Sequence, residues 1–392
     1  MSDQPPVLII GGGIGGLTHA LALSQHGIKS HILEARDQFS ELGAGIQLGP
    51  NAGRILANLN LLDDIKPRAS MPRAIRIREA DRGSDLATLP LIPYMEDRFF
   101  APYLTMRRTD LQSVLLEHVY ANDAVTVTTG FKLQKIRTTN DEIIAISDQT
   151  KEVHGHLLIG ADGIWSKTRE MISPGDPQKF SGKTAWRTLI PAADIPNGLD
   201  LDKVGLWLGA NAHLVHYTVG GEDELNIVAV IDDPDEARRW SQPADKADIE
   251  SHFRNWTTPA RDLINAATEW RKWSLFDAVP LKTWHRDRIC LLGDAAHPVL
   301  PFLAQGGALA IEDAYILASS INENEDDYDM AYSIFEAHRA PRTSKVQSKS
   351  RKNGNIYHMQ KPLSLARDLV LRNTSPTRLI SSYNWLYGYD VN

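Results

Sequence analysis

The run Val7-Leu8-Ile9-Ile10-Gly11-Gly12-Gly13-Ile14-Gly15-Gly16 restricts the fold of this chain more than any other ten residues. Four consecutive apolar residues read as a short buried strand, and Gly11, Gly13 and Gly16 supply the pattern G-x-G-x-x-G. Leu17, Ala20, Leu21 and Leu23 then mark one face of a helix that Gly27 ends, and His31-Ile32-Leu33 begins a second strand. Glu34 closes that strand 18 residues beyond Gly16. This is a βαβ dinucleotide-binding unit with a physical reason for each residue. Gly11 allows the tight turn, Gly13 lets a pyrophosphate reach the backbone, and Gly16 lets the helix close on the strand. The helix N-terminus favours the phosphate charge, and Glu34 can accept hydrogen bonds from a ribose diol. Gly15, Ala35 and Arg36 belong to the same candidate cofactor contacts. An acidic residue at position 34 fits FAD or NAD and disfavours NADP; spacing alone does not separate the first two.

Length and charge set the remaining bounds. A chain of 392 residues has room for about two domains. A net charge of −7 without a long basic run argues against nucleic acid or an anionic membrane surface as partner. The single cysteine, Cys290, permits no intrachain disulfide and fits a reducing compartment. No apolar stretch is long enough to span a bilayer, and residues 7–10 are too short for a signal-peptide core. A cytoplasmic protein without a metal is expected, either monomer or homodimer.

The expected fold is α/β: a discontinuous Rossmann-type domain carrying an inserted, mainly antiparallel β domain, with helices at the C-terminus. Residues 157–159 and 289–292 are further apolar strands suited to a parallel sheet. Strands with alternation dominate from about 180 to 275, at 184–191, 204–208, 213–219 and 225–231. The predicted division gives 1–72, 101–179 and 276–345 to the cofactor domain and 73–100 with 180–275 to the substrate domain. Helices are expected at 308–321 and 328–339, before a C-terminal helical segment, 346–392. The aromatic cluster Tyr383, Trp385, Tyr387 and Tyr389 is expected to pack on the body.

Three further segments narrow the chemistry: Arg107-Arg108-Thr109-Asp110-Leu111, Gly160-Ala161-Asp162-Gly163, and Gly293-Asp294-Ala295-Ala296-His297-Pro298 leading through Pro301 to Gly306-Gly307. In this order, behind the N-terminal fingerprint, they resemble the single-component FAD-dependent aromatic hydroxylases of the para-hydroxybenzoate hydroxylase fold. The segments Gly43-Ala44-Gly45-Ile46-Gln47-Leu48, 213–217 and Trp385-Leu386-Tyr387-Gly388-Tyr389-Asp390 bring the resemblance nearest to salicylate hydroxylases and 3-hydroxybenzoate 6-hydroxylases. The resemblance implies that Glu34 binds the adenosine ribose, that Arg108, Gly45 and Ile46 lie at the FAD, and that Asp162-Gly163 serves FAD and the nicotinamide cofactor. It also implies that Asp294 holds the ribityl or pyrophosphate part, and that Gly306 and Gly307 offer N–H groups to the flavin pyrimidine edge. Asp162 and Asp294 also suit simple turn caps, and His297 suits a rigid loop. With no second G-x-G-x-x-G unit, NADH or NADPH would bind transiently, NADH being favoured.

The implied reaction consumes O2 and NAD(P)H and hydroxylates a phenolic acid through a flavin C4a-hydroperoxide. A phenol attacks better once deprotonated, so a base of near-neutral pKa is sought. Alternation puts His213, Val215, Tyr217 and Val219 on one strand face, a mostly apolar wall with two polar groups. In the resembled subfamily this strand supplies a base and a substrate contact, here His213 and Tyr217. His213 also has the plainer reading of a hydrogen-bonded sheet residue. Gln47, Pro298 and Pro301 are the remaining substrate candidates. Pro301 stands where 3-hydroxybenzoate 6-hydroxylases are expected to have glutamine, which tilts the resemblance towards salicylate hydroxylases. The competing readings are a flavin hydroxylase of another ring (pyridine, quinone precursor or polyketide) and a non-catalytic flavin-binding redox sensor.

Overall fold

The computed structural model describes residues 4–39, 45–139, 142–175, 178–234 and 242–391. Gly43 and Ala44 of the resemblance therefore lie outside the described residues. Val7–Ile10 is a strand between Ser30–Leu33 and Leu157–Gly160, all parallel. Val125–Thr128 extends the sheet beyond Ser30–Leu33, and Ile289–Leu291 extends it on the other side, with the two-residue His285–Arg286 antiparallel at that edge. Continuous apolar runs suit these inner strands, because helices cover the sheet; Val7, Leu8, Ile9, Leu157, Leu158 and Ile159 are all inaccessible to solvent.

Helix Ile14–Gln25 packs against helix Gly306–Glu323. Gly15 makes the close approach possible: a Cβ there would sit 3.3 Å from Ala310 Cβ. His19 bonds the Ala314 carbonyl at 2.8 Å across the same contact, and burial lowers its pKa to about 4, so it serves as a neutral tie.

The second large sheet has eight strands in the order Gln242–Ala244, Trp270–Asp277, Lys179–Pro191, Glu224–Asp232, Ala212–Val219, Lys203–Gly209, Ala74–Glu79, Asp85–Pro90. It is antiparallel except where Lys203–Gly209 runs parallel to Ala74–Glu79. One face packs Trp186, Trp207, Leu214 and Ile227 against helices Lys246–Phe253 and Thr258–Ala266. The opposite face looks towards the cofactor half. Two small sheets were not anticipated: Leu133–Thr138, Ile143–Ser147 and Glu152–Gly155 form one, and Gly45–Leu48, Leu104–Arg107 and Ala69–Ser70 the other.

The predicted helix 328–339 runs on to Tyr357, through Pro341. Proline removes one ladder hydrogen bond and ordinarily ends a helix. Buried ion pairs on both sides hold it here: Arg339 meets Asp313 at 2.6 Å and Glu312 at 2.7 Å, and Arg342 meets Glu312 at 2.6 Å. The boundary expected at 345–346 thus falls inside one continuous helix. Helices Leu363–Asn373, Pro376–Ser381 and Asn384–Tyr387 complete the chain. The aromatic tail packs on the body, with Leu386 and Tyr387 buried.

Candidate active site

A groove of about 570 Å3 runs along the C-terminal ends of the parallel strands. Gly11, Gly13, Gly15, Glu34, Ala35, Arg36, Arg108, Asp162, Asp294, Gly306 and Gly307 all line it, though they come from segments nearly 300 residues apart. Gly11 takes φ +103°, a conformation only glycine adopts without strain, and a Cβ there would press on the Ala161 carbonyl at 2.6 Å. Glu34 organises the loop as well as lining the groove: Gly12 N–H donates to its Oε2 (2.8 Å) and Arg36 N–H to its Oε1 (3.0 Å).

Two helices begin at the groove without a side-chain cap, Ile14–Gln25 and Gly306–Glu323, and neither has an acidic residue in its first turn. Their first N–H groups and positive dipole ends are left for an anion. Such helix ends suit the anionic pyrophosphate of FAD and the negative charge that a reduced flavin develops at its pyrimidine edge. The Asp294 side chain is exposed in the groove.

Some candidates occupy other positions. Gly16 does not line the groove; a Cβ there would collide with the Gly11 carbonyl, so its place is the helix–strand contact. Gly45 also lies off the groove, donating its N–H to Asn226 Oδ1 (2.8 Å), and Ile46 reaches it only through its packing against Gly307. The Asp162 carboxylate is engaged in its own turn, accepting from Ser166 Oγ (2.5 Å), Thr168 N–H (3.0 Å) and Thr168 Oγ1 (3.1 Å). His297 is buried on Asp313 at 2.5 Å, a structural position.

A second cavity, about 100 Å3, lies where the eight-stranded sheet meets the cofactor half. Pro301, Phe302, Leu303 and Ala304 form one wall, and Gly306 and Gly307, which open the helix that follows, line the groove. Cavity and groove therefore share a wall only a few residues thick. His213 and Val215 supply the sheet side, Gln47 and Tyr103 another, and Tyr357, Tyr383 and Tyr387 the C-terminal side. Among the described residues no arginine, lysine or carboxylate lines it.

Within this cavity His213 is buried, and burial, reinforced by the nearby charges of His358 and Lys183, holds its pKa well below the usual histidine value. Its imidazole is thus neutral, with a lone pair open to a proton, but it is a weaker base than the near-neutral one the sequence led us to expect. Gln47 Oε1 accepts from Tyr103 Oη at 2.6 Å. Tyr217 shares the strand face of His213 but does not line the cavity; the absent Cβ of Gly45 makes room for its ring, its hydroxyl bonds Gln47, and burial pushes its pKa up to about 12. Pro298 is likewise off the cavity, its carbonyl accepting from Gln347 Nε2 at 2.9 Å. His216 points to the other face, against Gly205, with its pKa lowered by burial to about 4. Sequence reading missed Tyr103, Tyr357, Tyr387 and His358, because only tertiary contact distinguishes them from other aromatic residues.

The model of the family described as FAD binding domain matches residues 4–346. The chain belongs to this FAD-binding family, among its aromatic-ring hydroxylases. The 3-hydroxybenzoate 6-hydroxylase of Polaromonas naphthalenivorans is 33% identical, over 100% of this chain and 98% of the relative. The 6-hydroxynicotinate 3-monooxygenase of Pseudomonas fluorescens is also 33% identical, over 100% and 96%. Among solved structures, an HpxO variant from Klebsiella pneumoniae in complex with FAD superposes with a TM-score of 0.87 at 25% identity, over 98% of both chains. The cofactor of this flavoprotein monooxygenase is FAD, its substrate a small aromatic molecule. Among the described residues no helix is long and apolar enough to cross a membrane.

Proposed function

We propose that this protein hydroxylates a single-ring phenolic acid, with His213 as the base that ionises the phenol and NADH as the transient reductant. The observation that carries the reading is a neutral, buried histidine on the wall of a small cavity that adjoins the cofactor groove through the segment 301–307. FAD, held by Glu34, Arg108, Asp294 and the N-termini of two helices, supplies the activated oxygen when bound. His213 takes the phenolic proton, so that the ring becomes electron-rich where the oxygen is delivered. Phe302, Leu206, Ile75 and Ile77 exclude water, which protects the reaction from hydrolytic loss. Tyr103 and Gln47 orient the ring, and Tyr217 buttresses Gln47 from behind.

The cavity is small, about 100 Å3 against the roughly 150 Å3 that holds benzene in a dry protein interior, so even one ring requires its lining to give and a fused system is disfavoured further. The relatives named for 3-hydroxybenzoate and 6-hydroxynicotinate are named for single rings. Without a cation in the lining, a carboxylate would rest on tyrosine hydroxyls or on the cavity mouth.

The test is a panel of hydroxybenzoates and hydroxypyridine carboxylates, scored for hydroxylated product per NADH consumed. At least one should give coupled product; FAD retention with no product from any would overturn the reading. His213→Ala should keep its FAD yet lower kcat by about 10²–10⁴, the usual worth of a general base. An unchanged kcat would remove His213 from the role.

A further inference from the structure

The base proposed above does not end at the cavity wall. His213 Nδ1 lies 2.8 Å from His358 Nε2, and His358 Nδ1 lies 2.6 Å from Asp232 Oδ1. His213 and His358 are both buried, at 3% and 5% exposure, whereas the Asp232 side chain is 38% exposed. The three groups thus form a continuous hydrogen-bonded line from the cavity to solvent, drawn from two neighbouring strands and the end of the long C-terminal helix.

We infer that His358 and Asp232 are positioning residues that set the tautomer of His213 and carry its proton out to solvent. The inference rests on His213 being the base. A carboxylate has no proton to give, so the Asp232 contact places hydrogen on His358 Nδ1 and leaves its Nε2 as an acceptor. His213 must then donate through Nδ1, which leaves the Nε2 lone pair as its only proton acceptor.

The transfer balances without any added reagent. The substrate O–H bond breaks and an N–H bond forms at His213 Nε2. The proton on His213 Nδ1 passes to His358 Nε2, and the one on His358 Nδ1 passes to Asp232 and on to water. Burial makes this exit necessary, because an imidazolium in that apolar wall is costly to keep. Of the two rings beside His213, at 5.5 and 5.3 Å, Phe302 has no proton to carry and the Tyr357 hydroxyl is turned to the Phe302 carbonyl at 3.5 Å. The other charged groups around the line are Lys183, which bonds Asp232 and sits 3.2 Å from His358 Nδ1, and Arg367, which acts on His358. Both cations disfavour a positive charge on His358, and Lys183 also holds the Asp232 carboxyl below its ordinary range, so the proton passes through Asp232 to water and does not rest there.

The experiment compares His358→Leu and Asp232→Asn with the wild-type holoenzyme on 3-hydroxybenzoate, or on the phenolic acid that the panel selects. Both variants should retain FAD. The acid limb of the kcat profile should move to higher pH, with a deficit on the order of tenfold at pH 7 that narrows towards pH 9 as hydroxide replaces the relay. Added imidazole should restore part of the rate to His358→Leu. Absorbance of the bound phenolate should show its ionisation displaced in the same direction. A wild-type pH profile in both variants overturns the inference, as does a loss that is uniform with pH and insensitive to imidazole. His213→Ala separates the two readings: if it stays active the base itself is wrong, and if it is inactive while both relay variants behave as wild type, only the relay fails.

Discussion

Glu34 illustrates how one side chain can hold a site before any ligand arrives. Its two carboxylate oxygens take the N–H groups of Gly12 and Arg36, so the loop proposed to accept the pyrophosphate is fixed by the residue proposed to bind the ribose. Hydrogen bonds to a charged group contribute about 1.5–3 kcal/mol each. Glu34→Ala should therefore weaken FAD binding by at least about tenfold, because the cofactor contact and the loop order are lost together. Fluorescence titration of apoprotein with FAD reads this directly; an unchanged Kd would show that Glu34 serves neither purpose. Glu34 was legible from spacing alone, since strand, turn and helix fix where its carboxylate falls. Tyr217 was legible only as far as its strand face. Alternation gave that face correctly, but no local rule says that Gly45 and Gln47 come between its ring and the cavity.

At the scale of elements, strands were easier to anticipate than the ends of helices. Apolar runs and alternation report burial directly, so 7–10, 157–159 and four of the eight strands of the large sheet could be read from the residues. The long helix could not, because Pro341 argues locally for a stop. What keeps it helical is tertiary: Arg339 and Arg342 reach Glu312 and Asp313 on the preceding helix, with no solvent contact for Arg339 or either acid. Arg339→Met would leave the Asp313 and Glu312 carboxylates buried without their full complement of cations. Loss of one partner from such a buried pair costs about 3–5 kcal/mol, so thermal denaturation should show a clear fall in Tm.

The same cluster sets an acid limit. Burial works to raise the Asp313 pKa, but the charges of His297 and Arg339 overcome it, and the carboxyl is held well below its usual range; Arg339 and Arg342 do the same for Glu312. Folded-state values below the unfolded ones mean that this stability is present above about pH 4 and disappears as pH falls through the depressed folded values. The wild type should lose Tm steeply on acidification below pH 4 and Arg339→Met less so; parallel pH dependence of the two proteins would count against the cluster.

The proposed substrate cavity belongs to the whole molecule, since no single part encloses it. The large sheet gives His213 and Val215, the cofactor half gives the loop from Pro301 to Ala304, and the C-terminal helices give Tyr357, Tyr383 and Tyr387. This explains why the cofactor groove was largely readable and the cavity was not: the groove is built from motifs that each carry a local pattern, the cavity from three remote surfaces that meet. Tyr387 closes it from the last helix, its ring edge-on to Tyr103 at 6.0 Å and its backbone carbonyl accepting from Arg54 at 3.1 Å. Removing the ring should open the cavity while the backbone tie to Arg54 persists. Tyr387→Ala should therefore accept a two-ring phenolic acid such as a hydroxynaphthoate, which the wild type should refuse, at a stability cost of about 3–5 kcal/mol for the lost aromatic packing. The check is product formation from paired one-ring and two-ring substrates, with FAD content and Tm measured on the same samples. If folded, FAD-loaded Tyr387→Ala still rejects the larger acid, the C-terminal wall does not set the size limit and the sheet side must.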